Sequence, residues 1–286
     1  MRDLKINEAK RAERLAVIKR IEEYERLGKF DTDAECDPES RILRPDEITY
    51  LDKSLPAVIK RKLAFMAAHI FFYFERKKKK LVLCDPVGLE NLSSVKGGSI
   101  ITANHFNPYD SFIMQKVFDS SDRGGKMYRI IREGNYTSFP GLFGFLMRNC
   151  NTLPLSSDRR TAAKLSRAIK SVLEGGSSIL VYPEQSMWYN YRKPKPMKSG
   201  AFDIAVRHGV PVIPCFTVMK NSGIIGEDGM PVLTHTPIIC KPIYPDLELS
   251  KKDASEKMRR ENFEVFKGIY ESEYGVKLKY TCEGAI

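Results

Sequence analysis

The spacing of hydrophobic positions changes near residue 80. Before it, apolar residues recur at helical intervals or at none. Residues 3–28 read as a charged helix, in which Leu4, Ile6, Leu15, Val17, Ile18, Ile21 and Tyr24 form only a loose stripe. Residues 29–54 show no period, and Pro38 and Pro45 interrupt them, so an irregular linker is expected there. LPAVIKRKLAFMAAHIFFYFERKKKK, residues 55–80, returns to a helical pattern around an apolar run from Leu63 to Phe74. Beyond residue 80, short apolar runs alternate with helical periods. SIITANH, MYRIIR, NTLPL, SSILVYPE, VPVIPCFTV and PIICKPIY read as strands, and helices are predicted near 109–119, 140–149, 158–174, 198–209 and 250–274. The 158–174 helix is the best punctuated, with Asp158 at its start, Leu165, Ile169 and Val172 on one face, and Gly175-Gly176 after its end. This alternation predicts the α/β class, a mixed sheet flanked by helices over residues 81–286, behind an N-terminal helical segment over residues 1–80.

Composition sharpens the picture at one place. Lys and Arg outnumber Asp and Glu by 47 to 36 in 286 residues, a net charge of +11 with pI near 9.3. Such a balance points to an anionic partner: nucleic acid, an acidic membrane surface or a phosphorylated ligand. Within residues 55–80, eight basic residues face one acidic residue, Glu75, and they flank the apolar run. That run is twelve residues long, against the roughly 20 needed to cross a bilayer. Two readings stay open: a membrane-associating helix lying in the interface of an anionic surface, or a buried core helix followed by a solvated lysine run. No nucleic-acid-binding module is recognisable, and the basic cluster abuts aromatics, so nucleic acid is not the expected partner. The six cysteines are far apart and form neither CxxC pairs nor Cys/His clusters, so no disulfide framework and no metal site are expected. The charged N-terminus lacks the apolar core of a signal peptide. The expected location is the cytoplasmic face of a membrane, peripheral or monotopic.

Candidate chemistry begins at ITANHFNPYD, residues 101–110. An apolar strand ends at Asn104-His105, Asn107-Pro108 signals a turn, and YDSFIMQKVF resumes a helical period. His105 therefore belongs at a strand's carboxyl end, the edge where α/β sheets collect ligands, and Asp110 in the first turn of the next helix. A tight turn across this spacing can bring the carboxylate to one imidazole nitrogen and leave the other free as a general base. The alternative is plainer: Asp110 caps the helix, and His105 is a satisfied core side chain.

Three further segments follow in order: YPEQSMW (182–188), KSGAFDIA (198–205) and VPVIP (210–214). With NHFNPYD (104–110), they resemble the lysophospholipid acyltransferase family, which includes the 1-acylglycerol-3-phosphate acyltransferases. The family pattern is Asn-His, four residues, Asp; then Pro-Glu-Gly-Thr-Arg; then Lys-x-Gly-Ala and Val-Pro-Val-Ile-Pro. The resemblance covers about residues 85–245. It implies a glycerolipid-acyltransferase-like sheet and transfer of a fatty acyl group from acyl-CoA or acyl-carrier protein, as co-substrate rather than cofactor, to a lysophospholipid hydroxyl. His105 would be the base and Asp110 its orienting partner, with Asn104 and Glu184 on the substrate-binding side. Two arginines of the family pattern are displaced. Gln185-Ser186-Met187 follows Glu184, and Ser156 or Ser157 stands near the other expected arginine. Arg159, Arg192 and Lys198, with Lys193 and Lys195 in the same basic loop, are the expected substitutes for holding the acceptor's anionic group; a solvated charge run is the alternative. Trp188, Tyr189 and Tyr191 either line a pocket or pack.

Overall fold

The computed structural model describes residues 6–35 and 40–281. Cys36, Pro38, Cys282 and the start of the predicted first helix lie outside the described residues. In chain order the elements are α1 (Glu8–Arg26), α2 (Leu55–Lys77), β1 (Val82–Leu83), α3 (Leu89–Ser93), β2 (Ser99–Ala103), α4 (Asp110–Asp119), β3 (Met127–Ile131), α5 (Glu133–Thr137), α6 (Gly141–Asn149), β4 (Thr152–Pro154), α7 (Arg159–Glu174), β5 (Ser178–Val181), α8 (Gly200–His208), β6 (Val212–Ile225), β7 (Pro231–Ile239) and α9 (Lys251–Tyr274).

The seven strands form one mixed sheet in the order β1-β7-β6-β2-β5-β3-β4. The pairs along β6-β2-β5-β3-β4 are parallel, and β7 runs antiparallel to β6. All five residues of β2 are buried, as a central parallel strand covered on both faces requires. On one face, Leu165, Ile169 and Val172 of α7 join Phe202 of α8 and Phe266 of α9 over Ile100, Ile179 and Phe216. On the other, Met114, Val117 and Phe118 of α4 cover Ile101, Leu180 and Ile213. Local signals set the helix ends. Asp158 caps α7 by accepting from the Thr161 N–H at 2.8 Å. Gly209 ends α8 at φ 62°, a conformation glycine adopts without steric cost.

The segment expected as a linker is irregular in its described part, but it is packed. Phe30, Ala34, Leu43 and Ile48 are buried, at spacings of no regular period, so no period announces them. Phe30 stacks on Trp188 with ring centroids 5.6 Å apart, and Val17 and Ile21 of α1 complete that cluster. Trp188 is fully buried, so packing wins over the pocket-lining reading for this residue.

Helix α2 is not a core helix. Only Ala64, Phe72 and Glu75 are buried along its 23 residues. Leu55, Ile59, Leu63, Met66, Ile70 and Tyr73 are exposed at intervals of three and four, one continuous apolar stripe on the outside. Among the described residues no helix is long and apolar enough to cross a membrane.

Candidate active site

Because β2, β5, β3 and β4 are mutually parallel neighbours, the segments after their carboxyl ends meet at one sheet edge. His105 follows β2, Glu184 follows β5, Arg132 follows β3 and Ser156 follows β4.

The turn after β2 is built from its own side chains. Asn107 Oδ1 accepts the Tyr109 N–H at 2.8 Å, closing the local turn that the Asn-Pro pair predicts. This delivers Asp110 to His105: Nδ1 lies 2.5 Å from Asp110 Oδ2. Asp110 makes no capping bond to α4, so the helix-cap reading gives way to the imidazole contact. The carboxylate is almost fully enclosed while the imidazole is 22% exposed. Bonded to the carboxylate, Nδ1 carries the proton, and Nε2 is left as an acceptor. No Nε2 hydrogen bond to protein occurs among the described residues. The Tyr182 ring stacks on the imidazole, with centroids 4.2 Å apart and 16° between planes, and presents the π face on which a cation is favoured.

Glu184 is buried and holds this turn in place. Its Oε2 accepts the His105 backbone N–H at 3.2 Å and its Oε1 accepts that of Lys195 at 2.9 Å. Burial raises the Glu184 carboxyl above its usual range, opposed by Lys195 and by the two N–H bonds. Burial lowers Lys195 to about 8, opposed by the attraction of Glu184. The Lys195 ammonium donates to Ser186 O at 2.5 Å and to Ser186 Oγ at 2.7 Å, and lies 4.7 Å from the Trp188 ring centroid. This lysine stabilises the Glu184 loop from beneath, where Gln185-Ser186-Met187 stands in place of the family pattern's Gly-Thr-Arg.

Other expected substrate residues are engaged elsewhere. The Asn104 amide is engaged by Thr217, donating to its carbonyl at 3.1 Å and accepting its N–H at 2.8 Å, and so clamps β2 to β6. Lys198 pairs with Asp31 at 2.9 Å. Arg192 sits over the Tyr274 ring, 5.7 Å from its centroid, against α9. Arg159 is exposed on the first turn of α7. These three cations do not converge on His105.

Two residues at this edge escaped the sequence reading. Arg132 donates from Nη2 to Gln185 O at 3.4 Å and is ion-paired with Asp33. Its place at the end of MYRIIR was legible, but its neighbourhood with the Glu184 loop depends on β3 lying beside β5. His235 donates from Nδ1 to Val82 O at 3.2 Å, and its Nε2 accepts from Asn107 Nδ2 at 3.3 Å. Burial lowers it to about 4, against opposing contributions from Val82 and Asp110. A neutral His235 thereby pins the turn after β2 from the β7 side, a contact between residues 128 positions apart.

Comparison with known proteins bears on this edge. Residues 85–218 match the Acyltransferase family model. A chloroplastic 1-acyl-sn-glycerol-3-phosphate acyltransferase of Brassica napus is 29% identical over 164 residues, covering 56% of this chain and 45% of its own. That of Arabidopsis thaliana is 27% identical over 161 residues, covering 55% and 42%. The chain thus spans less than half the length of these curated relatives. The crystal structure of the 1-acyl-sn-glycerophosphate acyltransferase PlsC from Thermotoga maritima aligns over 80% of this chain and 86% of its own, at 19% identity and a TM-score of 0.49. The Asn-His-x4-Asp turn and the Pro-Glu loop both lie inside residues 85–218, and over this span the chain is similar to the Acyltransferase family.

Proposed function

We propose that the protein transfers a fatty acyl group from an acyl thioester, acyl-CoA or acyl-carrier protein, to the hydroxyl of a lysophospholipid-type acceptor such as 1-acylglycerol-3-phosphate. The observation that carries this reading is the His105 Nδ1 contact with Asp110 Oδ2 at 2.5 Å, at the sheet edge beside Glu184. In the proposed step, His105 Nε2 takes the acceptor's hydroxyl proton as that oxygen attacks the thioester carbonyl carbon. Asp110 stabilises the imidazolium that forms, and the Tyr182 π face does so as well. The tetrahedral oxyanion collapses, the C–S bond breaks, and the leaving thiolate takes the proton from Nε2, which restores the base. A thioester is already activated, so positioning and proton transfer supply much of the remaining barrier reduction.

The α2 stripe supports a membrane surface as the setting of this chemistry. Its exposed apolar residues lie beside Leu142 and Phe143 of α6, exposed as well, with Phe71 and Phe143 in edge contact at 5.6 Å. Lys77 to Lys80 follow the stripe, each worth about 1 kcal/mol near an anionic surface. Such lipids mark the cytoplasmic leaflet, where we place the contact as peripheral or monotopic. The helix also reaches the catalytic turn: Tyr109 donates to Glu75 Oε2 at 2.8 Å, and Phe72 stacks on Phe112 at 3.6 Å. An acceptor drawn from the lipid surface would therefore meet His105 close to where α2 docks.

The test is acyl transfer by the purified chain from a long-chain acyl thioester to lysophospholipids in anionic vesicles. Wild type is expected to form diacyl product, and His105→Ala to lose about 10²–10⁴-fold in rate. Retention of near-full activity in His105→Ala would overturn the assignment of the base. Binding of acceptor without any transfer by wild type would point instead to a catalytically silent lipid-binding protein of the same fold.

A further inference from the structure

The edge next to Glu184 opens into a cavity of about 440 Å³ at the ends of β3 and β4, lined among others by Asp33, Arg132, Glu133, Ser156 and Ser157. Arg132 follows β3 and His105 follows β2, with β5 between them, so two strand spacings, about 10 Å, separate their backbones. In an acyltransferase acting on lysophospholipids, which is the reading this rests on, that is where the acceptor's polar end would lie while its hydroxyl is at His105.

The charge of this cavity is the wrong sign for a strongly anionic group. Among the described residues its lining holds one cation, Arg132, and two carboxylates, Asp33 and Glu133. The Arg132 guanidinium is already paired with Asp33. The two serine hydroxyls after β4 are committed as well. Ser156 Oγ donates to Leu43 O at 2.7 Å, while Ser157 Oγ and the Leu43 N–H both donate to Glu133, at 3.1 Å each. The neighbouring Lys198 is taken by Asp31. Two carboxylates of the strap after α1, Asp31 and Asp33, thus neutralise Lys198 and Arg132, two of the cations around the Glu184 loop. A phosphate monoester carries close to two negative charges at neutral pH and several strong acceptor oxygens. A phosphodiester carries one, and asks less of a single guanidinium.

We propose that the preferred acceptor presents its phosphate as a singly charged diester rather than as a doubly charged monoester, and that Asp33 sets this preference by occupying Arg132. Asp33 is a positioning residue here, acting through the guanidinium.

The experiment compares the full chain with its Asp33→Asn and Asp33→Glu variants. Lysophosphatidic acid, lysophosphatidylglycerol and lysophosphatidylethanolamine of one chain length serve as acceptors, with acyl-CoA and acyl-carrier protein each tried as donor. Wild type is expected to show a higher kcat/KM for the two diesters. In Asp33→Asn, KM for lysophosphatidic acid is expected to fall about two- to fivefold relative to the diesters, the range set by a half-exposed ion pair, with kcat unchanged. Asp33→Glu, which keeps the charge, is expected to retain the wild-type ratio. A wild-type preference for lysophosphatidic acid, or an unchanged ratio in Asp33→Asn, overturns this proposal and leaves the acyltransferase reading standing. Absence of transfer to every acceptor overturns the acyltransferase reading, and this proposal falls with it.

Discussion

Replacing Asp110 by asparagine tests the proposed role of the His105–Asp110 pair most directly, because the two residue types have nearly the same shape. Asparagine keeps the shape, so the turn survives, but it cannot stabilise an imidazolium. Two unit charges about 4 Å apart, near a protein surface with an effective dielectric constant of about 20, attract by about 4 kcal/mol. Asp110 is enclosed and His105 is 22% exposed, so this regime is the appropriate one. If that attraction is gained only as the imidazole becomes charged, its loss corresponds to about 10³-fold in kcat. The effect on stability should be small. Asp110 does not cap α4, and exchanging a charge-assisted hydrogen bond for a neutral one costs about 1 kcal/mol, a few degrees in Tm for a chain of this size. The assay pairs thioester turnover with thermal melts for Asp110→Asn, His105→Ala and the double variant. The double variant should be scarcely slower than His105→Ala, because an orienting carboxylate has nothing to act on once the imidazole is gone. Losses that multiply, or a fall in kcat that simply tracks a large fall in Tm, would refute the pairing as catalysis and leave a structural contact.

Two other outcomes are expected. The protein should co-sediment with anionic vesicles and be released by salt; changing Lys77, Lys78, Lys79 and Lys80 to glutamine should remove the salt-sensitive part, and changing Ile70 and Tyr73 to serine should weaken binding even at high salt. Binding unaffected by either set would exclude α2 as the docking element. For His235, folding lowers the pKa from an ordinary 6.5 to about 4. As pH falls, the unfolded chain therefore takes up a proton first, so stability present above pH 6.5 is lost progressively down to pH 4, on the order of 3 kcal/mol in all. His235→Gln should flatten the difference in urea midpoint between pH 7 and pH 4.5; an unaltered pH slope would show that another group carries the acid sensitivity.

Much of the site was legible because its residues are close in sequence. His105, Asn107 and Asp110 lie within six positions, and a strand end, a turn pair and a helix start dictate their arrangement before any tertiary contact forms. The 158–174 helix was legible for a similar reason, since its cap, apolar face and terminal glycines all act locally. The acceptor side was not. Arg192, Lys193, Lys195 and Lys198 look equivalent along YRKPKPMK, yet Lys195 is buried under Trp188, Lys193 pairs with the buried Glu25, Lys198 pairs with Asp31 and Arg192 rests on Tyr274. Nothing in a basic run says which member the core will enclose.

The sequence by itself determined the alternating α/β order, the placement of His105 and Asp110 at one turn, and the Pro-Glu loop after a buried strand. These follow from hydrophobic period and turn chemistry, which act over a few residues. Only the tertiary structure decided that α2 turns its apolar stripe outward, because a helix's pattern shows that it has an apolar face but not whether other elements cover it. Strand order likewise decided that Arg132 lies beside Glu184, since β3 reaches β5 only after the chain has passed through α5, α6, β4 and α7. The strap carrying Asp31 and Asp33 meets Lys198 and Arg132 across 167 and 99 positions. Contacts at that separation depend on where the whole sheet places its edge, and no local pattern encodes them.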